Sequence, residues 1–153
     1  MATMKAVPLA RAAGEHGNKA ANLRWLIDHD RRVPAGIVVR SAEDEGLAEW
    51  IEPGQAYAVR SSASVEDSAE HSFAGQFASI LHVEGLPAIR AAVAEVLGSA
   101  SDDRLATYLE HAGVDPEAVS MHVIIQRMVP AVAAGVAFSR NPLTGLTDTL
   151  IEA

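Results

Sequence analysis

The sequence contains no cysteine, few aromatic residues and only two lysines. Without cysteine the chain can form neither disulfides nor thiolate nucleophiles, which favours a cytoplasmic protein. Aromatic residues make up 5% of the chain, so alanine, valine and leucine must do most of the core packing. No apolar stretch reaches the ~18 residues of a membrane span, and the N-terminus lacks the apolar region of a signal peptide. These absences exclude a membrane-spanning or disulfide-stabilised class.

Positive charge is also scarce: 12 lysines and arginines stand against 20 aspartates and glutamates, which gives a formal net charge of −8 over 153 residues. No cluster of lysine and arginine offsets that charge, which argues against non-specific nucleic-acid binding. The length fits one domain, or one lobe of a larger enzyme. A hydrophobic content of 49% is enough to build a core.

Helices are indicated where apolar residues recur every three or four positions. The spacing predicts helices over 17–28, 86–97 and 101–112, and one or two helical turns within 43–50. The second of these is the clearest, because Pro87 lies near its start and Gly98 follows its end.

Strands are indicated by short apolar runs over 5–9, 37–39, 56–60, 79–83, 121–128, 132–138 and 147–151. The connection over 129–131 is very short, so 121–128 and 132–138 are expected to pair as an antiparallel hairpin that 147–151 extends. Strands, then helices, then strands predict a two-layer α+β lobe, with residues 1–153 forming a single domain.

The first candidate phosphate site is Gly17-Asn18-Lys19 at a predicted helix start. The N-terminus of a helix presents unpaired N–H groups and positive potential, so it attracts anions. Lys19 adds a point charge there. The pattern is not a Walker A motif, which needs Gly-Lys-Ser/Thr after four spacer residues. An ordinary solvated lysine in a first turn is the alternative.

The second candidate begins at Arg60, which ends an apolar strand and opens a serine-rich loop. The guanidinium offers a fixed fork of donors that matches phosphate oxygens. Small residues let backbone N–H groups approach those oxygens closely. An ion pair with Glu66 or Asp67, or an ordinary surface loop, are the alternatives. The small and polar residues of the site are Ser61, Ser62, Ser72, Ala74, Gly75, Gln76 and Ser79.

The third candidate is the segment from Gln126 to Val129. In an alternating strand Ile124, Gln126 and Met128 share a face. Pro130 then interrupts the ladder and is expected to leave nearby backbone groups unpaired. An apolar face beside such groups suits an adenine ring, and an ordinary core strand with an edge bulge is the alternative. The six histidines show no metal-ligand spacing.

Five segments together resemble one family: GNKAANLRWL, VPAGIVV, YAVRSSASVED, SFAGQFASIL and VIIQRMVPAVAAGVAFSRNPLTG. They resemble, in the same order, motifs of the N-terminal nucleotide-binding domain of the pyruvate phosphate dikinase and phosphoenolpyruvate synthase family. Rifampicin phosphotransferase has the same domain. The resemblance covers most of the chain.

The resemblance implies the first lobe of an ATP-grasp fold, with a mixed or antiparallel sheet packed against helices and ATP held between two lobes. Lys19 and Arg60 match catalytic family residues that contact the phosphates. Ser72, Ala74, Gly75 and Gln76 match a loop that covers those phosphates, and Ser79 matches a position that is usually threonine. Gln126, Arg127, Met128 and Val129 match the segment that lines the adenine pocket.

The resemblance also implies an ATP-dependent phosphotransferase of the kinase or dikinase type, which phosphorylates a histidine on another domain. Asn18 and Ala20 replace family glycines, and the stretch between Val39 and Tyr57 is shorter than usual. The family's Gly-Leu-Gly-Glu and Asp-Ile-Glu segments and its phosphohistidine motif are missing from these residues, and His71 does not match that motif. The ligands of Mg²⁺ and the phosphohistidine and acceptor-binding domains are therefore expected outside this chain, in cis or in trans.

Two other readings stay open at this point. One is a non-catalytic nucleotide-binding or partner-binding module derived from the family. The other is an oligomeric role, in which self-association buries the face of an incomplete lobe. Neither the phosphoryl acceptor nor the catalytic competence of the chain alone follows from the residues.

Overall fold

The computed structural model describes residues 5–64, 78–99, 115 and 119–153. The helix predicted over 101–112 and most of the serine-rich loop lie outside these residues. Within them the predicted α+β class is confirmed, because helices pack against an antiparallel sheet.

The described elements follow the predicted order along the chain. They are β1 (Val7–Pro8), α1 (Asn18–Asp28), β2 (Gly36–Val39), α2 (Leu47–Trp50), β3 (Ala56–Ala63), β4 (Ser79–Glu84), α3 (Leu86–Gly98), β5 (Met121–Arg127), β6 (Val136–Phe138) and β7 (Leu150–Glu152). The predicted first strand is shortened because a 3₁₀ turn begins at Leu9. The helix predicted within 43–50 begins only at Leu47, because the Asp44 carboxylate accepts the Arg40 amide at 2.6 Å and closes a turn there.

Five of the described strands form one antiparallel sheet in the order β1-β2-β5-β3-β4. The central strand is β5, in which Ile124 lies opposite Val38 of β2 and Arg60 of β3. Residues 122–126 of β5 are all buried. A strand covered on both faces and paired along both edges reads as a continuous apolar run rather than an alternating one.

The predicted hairpin between β5 and β6 is wrong. Among the described strands β6 pairs with β7 in a separate two-stranded ribbon, with Ala137 opposite Ile151. Both edges of β5 are occupied by β2 and β3, and Pro130 has no N–H to continue a ladder. The strand predicted over 147–151 is present as β7 and pairs with β6, but the two do not continue a meander from β5.

The two faces of the sheet pack against different helices. The larger core lies between the sheet and α3, where Ile89, Val93 and Val96 are buried against Val59 and Ile125. The smaller core lies under α1 and joins Leu9, Ala12, Ala20, Val38 and Ile124, with Leu23 and Ile27 at its margin. Burial of each such aliphatic side chain contributes about 1.5–3 kcal/mol relative to exposure. The described residues therefore form three layers, with α1 and α3 on opposite faces of the sheet, so the predicted two-layer arrangement is wrong. The packing gives α1 a defined position over the sheet.

Among the helices of the described residues, none is long and apolar enough to cross a lipid bilayer.

Candidate functional site

The N-terminus of α1 is fixed against the end of β3. The Ser62 hydroxyl oxygen accepts the Ala20 amide hydrogen at 3.0 Å and donates to the His16 carbonyl oxygen at 2.8 Å. Gly17 has a φ of 90° and lies so close to Ser62 that an added Cβ would be 2.3 Å from the Ser62 carbonyl oxygen. Only glycine fits this approach. The Ala20 amide, one of the first-turn amides predicted to be available to an anion, is therefore bonded to Ser62 instead.

Lys19 lies at the same junction. Its Nζ donates to the Ser61 carbonyl oxygen at 3.0 Å, and the side chain is half-buried. Ser61 directly follows Arg60 in β3. The two cations that the sequence assigned to phosphate are therefore brought to neighbouring positions, although they are 41 positions apart in the chain.

Arg60 shares a face of the sheet with Ser79. Arg60 lies directly opposite Ser79 of β4 and Ile124 of β5, and directly opposite residues project from the same face. Ile124 belongs to the core under α1, so this is the α1 face. Arg60 is half-buried and Ser79 is exposed. The loop residues Ser72, Ala74, Gly75 and Gln76, and the alternative partners Glu66 and Asp67, lie outside the described residues.

A strip of small side chains leads along β3 away from Arg60. Because side chains alternate, Ala58 and Ala56 share the face of Arg60. Four residue steps separate Ala56 from Arg60, a distance of about 13 Å at the usual rise of a strand. Gln126 lies opposite Ala58, but it is buried and its Nε2 donates to the Pro34 carbonyl oxygen at 3.0 Å. The Gln126 side chain therefore supports the 33–35 segment.

An open cavity of about 420 Å³ lies at the far end of this strip. It contains two of the residues predicted to line an adenine pocket, Met128 and Val129. Its lining is Gly54, Gln55, Ala56, His82, Met128, Val129 and Pro130. The segment predicted to bind the adenine base therefore borders a concave surface. Arg127, which was also predicted to line the adenine pocket, is not among the residues that line this cavity.

Backbone groups around Pro130 are more completely bonded than the sequence suggested. The Met128 amide donates to the Ala56 carbonyl oxygen at 2.9 Å. The Met128 carbonyl oxygen accepts Gln55 Nε2 at 3.3 Å, and the Val129 carbonyl oxygen accepts the Ala131 amide at 2.8 Å. These bonds hold the two walls of the cavity, 54–56 and 128–130, against each other.

Arg127 lies on the opposite face of the sheet. It is directly across from Tyr57, pairs with Glu52, and its guanidinium carbon is 5.6 Å from the centre of the Trp50 ring. The ring and the carboxylate balance the charge of the guanidinium, although its buried Nε has no hydrogen-bond partner among the described residues. Its contacts join the end of β5 to the segment that precedes β3.

His82 occupies the third wall of the cavity through an irregularity that the sequence pattern did not reveal. The β3–β4 register shifts between Tyr57 and Val59, and His82 has a φ of 57°. Its amide nitrogen donates to Met128 Sδ at 3.1 Å. Such bulges redirect side chains. Gln55 and Gly54 were not predicted from the sequence either; only the β3–β5 pairing places both beside Met128.

His122 lies behind the α1 junction, opposite Ser62 and 5.4 Å from the His16 ring centre. The pKa of His122 is lowered from 6.5 to about 4, chiefly by burial and also by the neighbouring His16 and Arg40, while Asp44 and Glu15 oppose this shift. Its Nδ1 is buried and has no hydrogen-bond partner. Near neutral pH this side chain is uncharged and acts as a packing group.

Metal ligands are not assembled in the part of the chain that the structure describes. It contains no group of three or more histidine, aspartate or glutamate residues that could hold a metal ion. The residues present do not fit the Mg²⁺ that the resemblance implies, so no chemical step is assigned to a metal here.

The chain matches known proteins over most of its length. Residues 18–153 match the family model described as pyruvate phosphate dikinase, AMP/ATP-binding domain. A rifampicin phosphotransferase of Streptomyces sp is 44% identical over 126 residues, which are 82% of this chain and 14% of the relative. A phosphoenolpyruvate synthase of Escherichia coli is 35% identical over 129 residues, 83% of this chain and 16% of the relative.

A rifampicin phosphotransferase of Bacillus subtilis is similar at 36% identity over 84% of this chain and 14% of its own length. The chain thus spans only about a seventh of the length of the curated relatives it matches. The family model covers the elements that build the site, from α1 through β7. Both the sequence motifs and this coverage agree that the chain belongs to the pyruvate phosphate dikinase AMP/ATP-binding domain family.

Proposed function

We propose that this chain binds ATP along β3 as the ATP-binding portion of a phosphoenolpyruvate-synthase-like or dikinase-like phosphotransferase. The base occupies the cavity beside Met128, and the phosphates lie at Arg60 and Lys19. The fold is then the first lobe of an ATP-grasp domain. The histidine that accepts the phosphoryl group, and the final acceptor, belong to other domains.

One observation carries this proposal: the cavity and the two cations lie at opposite ends of one small-residue strip. The cavity is at Ala56, and Ala58 lies between it and the two cations. The cations are Arg60 itself and Lys19, whose Nζ donates to the Ser61 carbonyl oxygen. The separation of about 13 Å is on the scale of an extended nucleoside triphosphate. Small side chains leave room for a ligand to lie against the strand.

The residues supply charge neutralisation and positioning, which are the main demands of phosphoryl transfer. Arg60 offers two parallel donors to phosphate oxygens. Lys19, already directed along β3 by its bond to Ser61, adds a second positive charge. The loop from Ser72 to Gln76 is proposed to close over the phosphates, with Ser79 beside Arg60. Mg²⁺ ligands are proposed to come from outside the described residues.

Calorimetric titration with ATP and with AMP tests the proposal. The Arg60→Ala variant should bind ATP about 10- to 100-fold more weakly, because a hydrogen bond to a charged group contributes roughly 1.5–3 kcal/mol. Its affinity for AMP should fall less. Arg31→Ala, which removes an exposed arginine beyond α1, is the matched control and should leave both affinities unchanged.

Two results would decide against the proposed roles. Equal ATP affinity in Arg60→Ala and the unaltered protein would remove Arg60 from the phosphate site. ATP binding without phosphoryl transfer, when both the second lobe and the phosphohistidine domain of a relative are supplied in trans, would favour the second candidate, a non-catalytic nucleotide-binding module.

A further inference from the structure

The cavity beside Met128 has two polar side chains on its rim that neither the sequence motifs nor the comparisons assign. These are Gln55, at the turn before β3, and His82, on the bulge of β4. Resting on the proposed function, we infer that Gln55 selects adenine over 6-oxopurines and that His82 supplies the surface on which the base stacks.

The orientation of the Gln55 amide follows from its partners. Its Nε2 donates to the Ala56 carbonyl oxygen at 2.7 Å and to the Met128 carbonyl oxygen at 3.3 Å. Both partners are pure acceptors, so the nitrogen and not the oxygen must face them. Oε1 is therefore the Gln55 atom that can accept a hydrogen bond from a ligand in the cavity. An acceptor fixed in this way is a preorganised recognition group.

A fixed acceptor distinguishes purines by the group at position 6. Adenine carries an amino group there, which can donate to Oε1. Hypoxanthine and guanine carry a carbonyl oxygen, which would face Oε1 acceptor to acceptor. A site that presents an unmatched polar group to the wrong base loses both the hydrogen bond and the solvation of that group.

His82 is placed on the cavity wall by a backbone conformation that few residues adopt. Its φ of 57° lies in the left-handed region, where histidine is found more often than most non-glycine residues. The bond from its amide to Met128 Sδ ties the bulge to the opposite wall. A strained residue held at a cavity edge is a frequent mark of a functional position. The exposed imidazole gives this mostly apolar cavity a flat ring.

Titrations with ATP and ITP, which differ at position 6, separate the two roles. The unaltered protein should prefer ATP by roughly 3- to 10-fold, the range of one net hydrogen bond. In Gln55→Met the ratio of ATP affinity to ITP affinity should fall to about one. In His82→Asn, which keeps the left-handed backbone but removes the ring, affinity for both nucleotides should fall at least about 5-fold with the preference retained.

His29→Asn is the matched control, because His29 is exposed and stacks on Trp25 at the far end of α1. It should change neither affinity. If Gln55→Met does not fold, Gln55→Lys replaces it, since lysine keeps donors for the two carbonyl oxygens but offers no acceptor. Loss of the ATP preference in either variant supports the inference.

The outcomes are distinguishable. An ATP preference that persists without the Gln55 acceptor, or unchanged affinity in His82→Asn, overturns the inference and leaves ATP binding intact. No measurable ATP binding by the unaltered protein overturns the proposed function, and the inference falls with it.

Discussion

The Ser62 hydroxyl oxygen caps α1 from another element, because it accepts the Ala20 amide hydrogen at 3.0 Å. The N-cap residue of α1 is Gly17, which has no side chain to do this. The start of the helix is therefore completed by a strand residue 42 positions away. This places Lys19, in the first turn, next to β3, so the shape of the proposed phosphate site depends on the packing of α1 against β3.

Ser62→Ala should lower the free energy of unfolding by about 1–3 kcal/mol. The change removes the cap of the Ala20 amide and leaves the part-buried His16 carbonyl oxygen without its donor. Urea denaturation measures the loss. Ser99→Ala, which removes only a local bond to the Val96 carbonyl oxygen at the end of α3, is the control and should cost about 1 kcal/mol or less. Equal losses in the two variants would contradict a special role for Ser62.

Gly17→Ala should be more destabilising than Gly54→Ala. Both glycines have positive φ, 90° and 75°, so both changes place a side chain in an unfavourable backbone region. That strain alone is about 1–2 kcal/mol. At Gly17 the new Cβ would also meet the Ser62 carbonyl oxygen at 2.3 Å, whereas nothing lies within 4 Å at Gly54. Chemical denaturation of the two variants compares them, and similar free energies would show that the close approach is not required.

Lys19→Met should weaken ATP binding more than AMP binding. The lysine is expected to act on the outer phosphates, so its removal should cost ATP about 10-fold or more, the effect of one hydrogen bond to a charged group. Lys5→Met is the matched control, because Lys5 is the other lysine of the chain and is exposed. Calorimetric titration of both variants provides the measurement. An equal loss for ATP and AMP would place Lys19 away from the outer phosphates.

His122 should make the protein less stable as the pH falls from about 6.5 towards 4. Its pKa in the folded state is about 4, below the 6.5 of the unfolded chain. Between those values the unfolded chain binds the extra proton, so the free energy of unfolding should decrease by up to about 1.4 kcal/mol per pH unit. Above about pH 7 both states are neutral at this residue, and its contribution is fully present.

Replacement of His122 by glutamine should flatten that pH dependence, whatever its effect on stability at neutral pH. His29→Gln removes an exposed histidine and should keep the slope of the unaltered protein. Urea denaturation at pH 7.5, 6.5 and 5.5 compares the slopes. An unchanged slope in His122→Gln would show that other groups cause the acid sensitivity.

Local pattern was enough to predict most elements but not the sheet order. The predicted ranges of α1 and α3 were correct to within one residue at each end, because an apolar period of 3.6 residues indicates a helix directly. The pairing of β5 with β2 and β3 joins residues up to 90 positions apart in the chain, such as Gly36 and Gln126, and no local signal reports it. The short connection at 129–131 suggested a hairpin, but Pro130 ends β5 instead of turning it.

The candidate site was also predicted only in part, because local sequence identifies motif residues but not residues that strand pairing brings to the site. Motif residues such as Lys19, Arg60 and Met128 could be proposed from their sequence context. Gln55 and His82 could not, because their places on the cavity depend on the β3–β5 register and on a bulge in β4. Arg127 is the converse case: it belongs to the motif, yet alternation along β5 places its side chain with Trp50 on the other face.

The central place of β5 sets the order in which the protein can become functional during synthesis. Until residues 121–127 leave the ribosome, β2 and β3 each have an open edge, since they pair with β5 and not with each other. Among the described strands, the early chain can form the separate pairs β1–β2 and β3–β4, and insertion of β5 then joins them. Such non-local pairing is slow, and open strand edges invite association with other chains. Nucleotide affinity should therefore arise in a single late event, when one strand closes the sheet and brings Met128 beside Ala56.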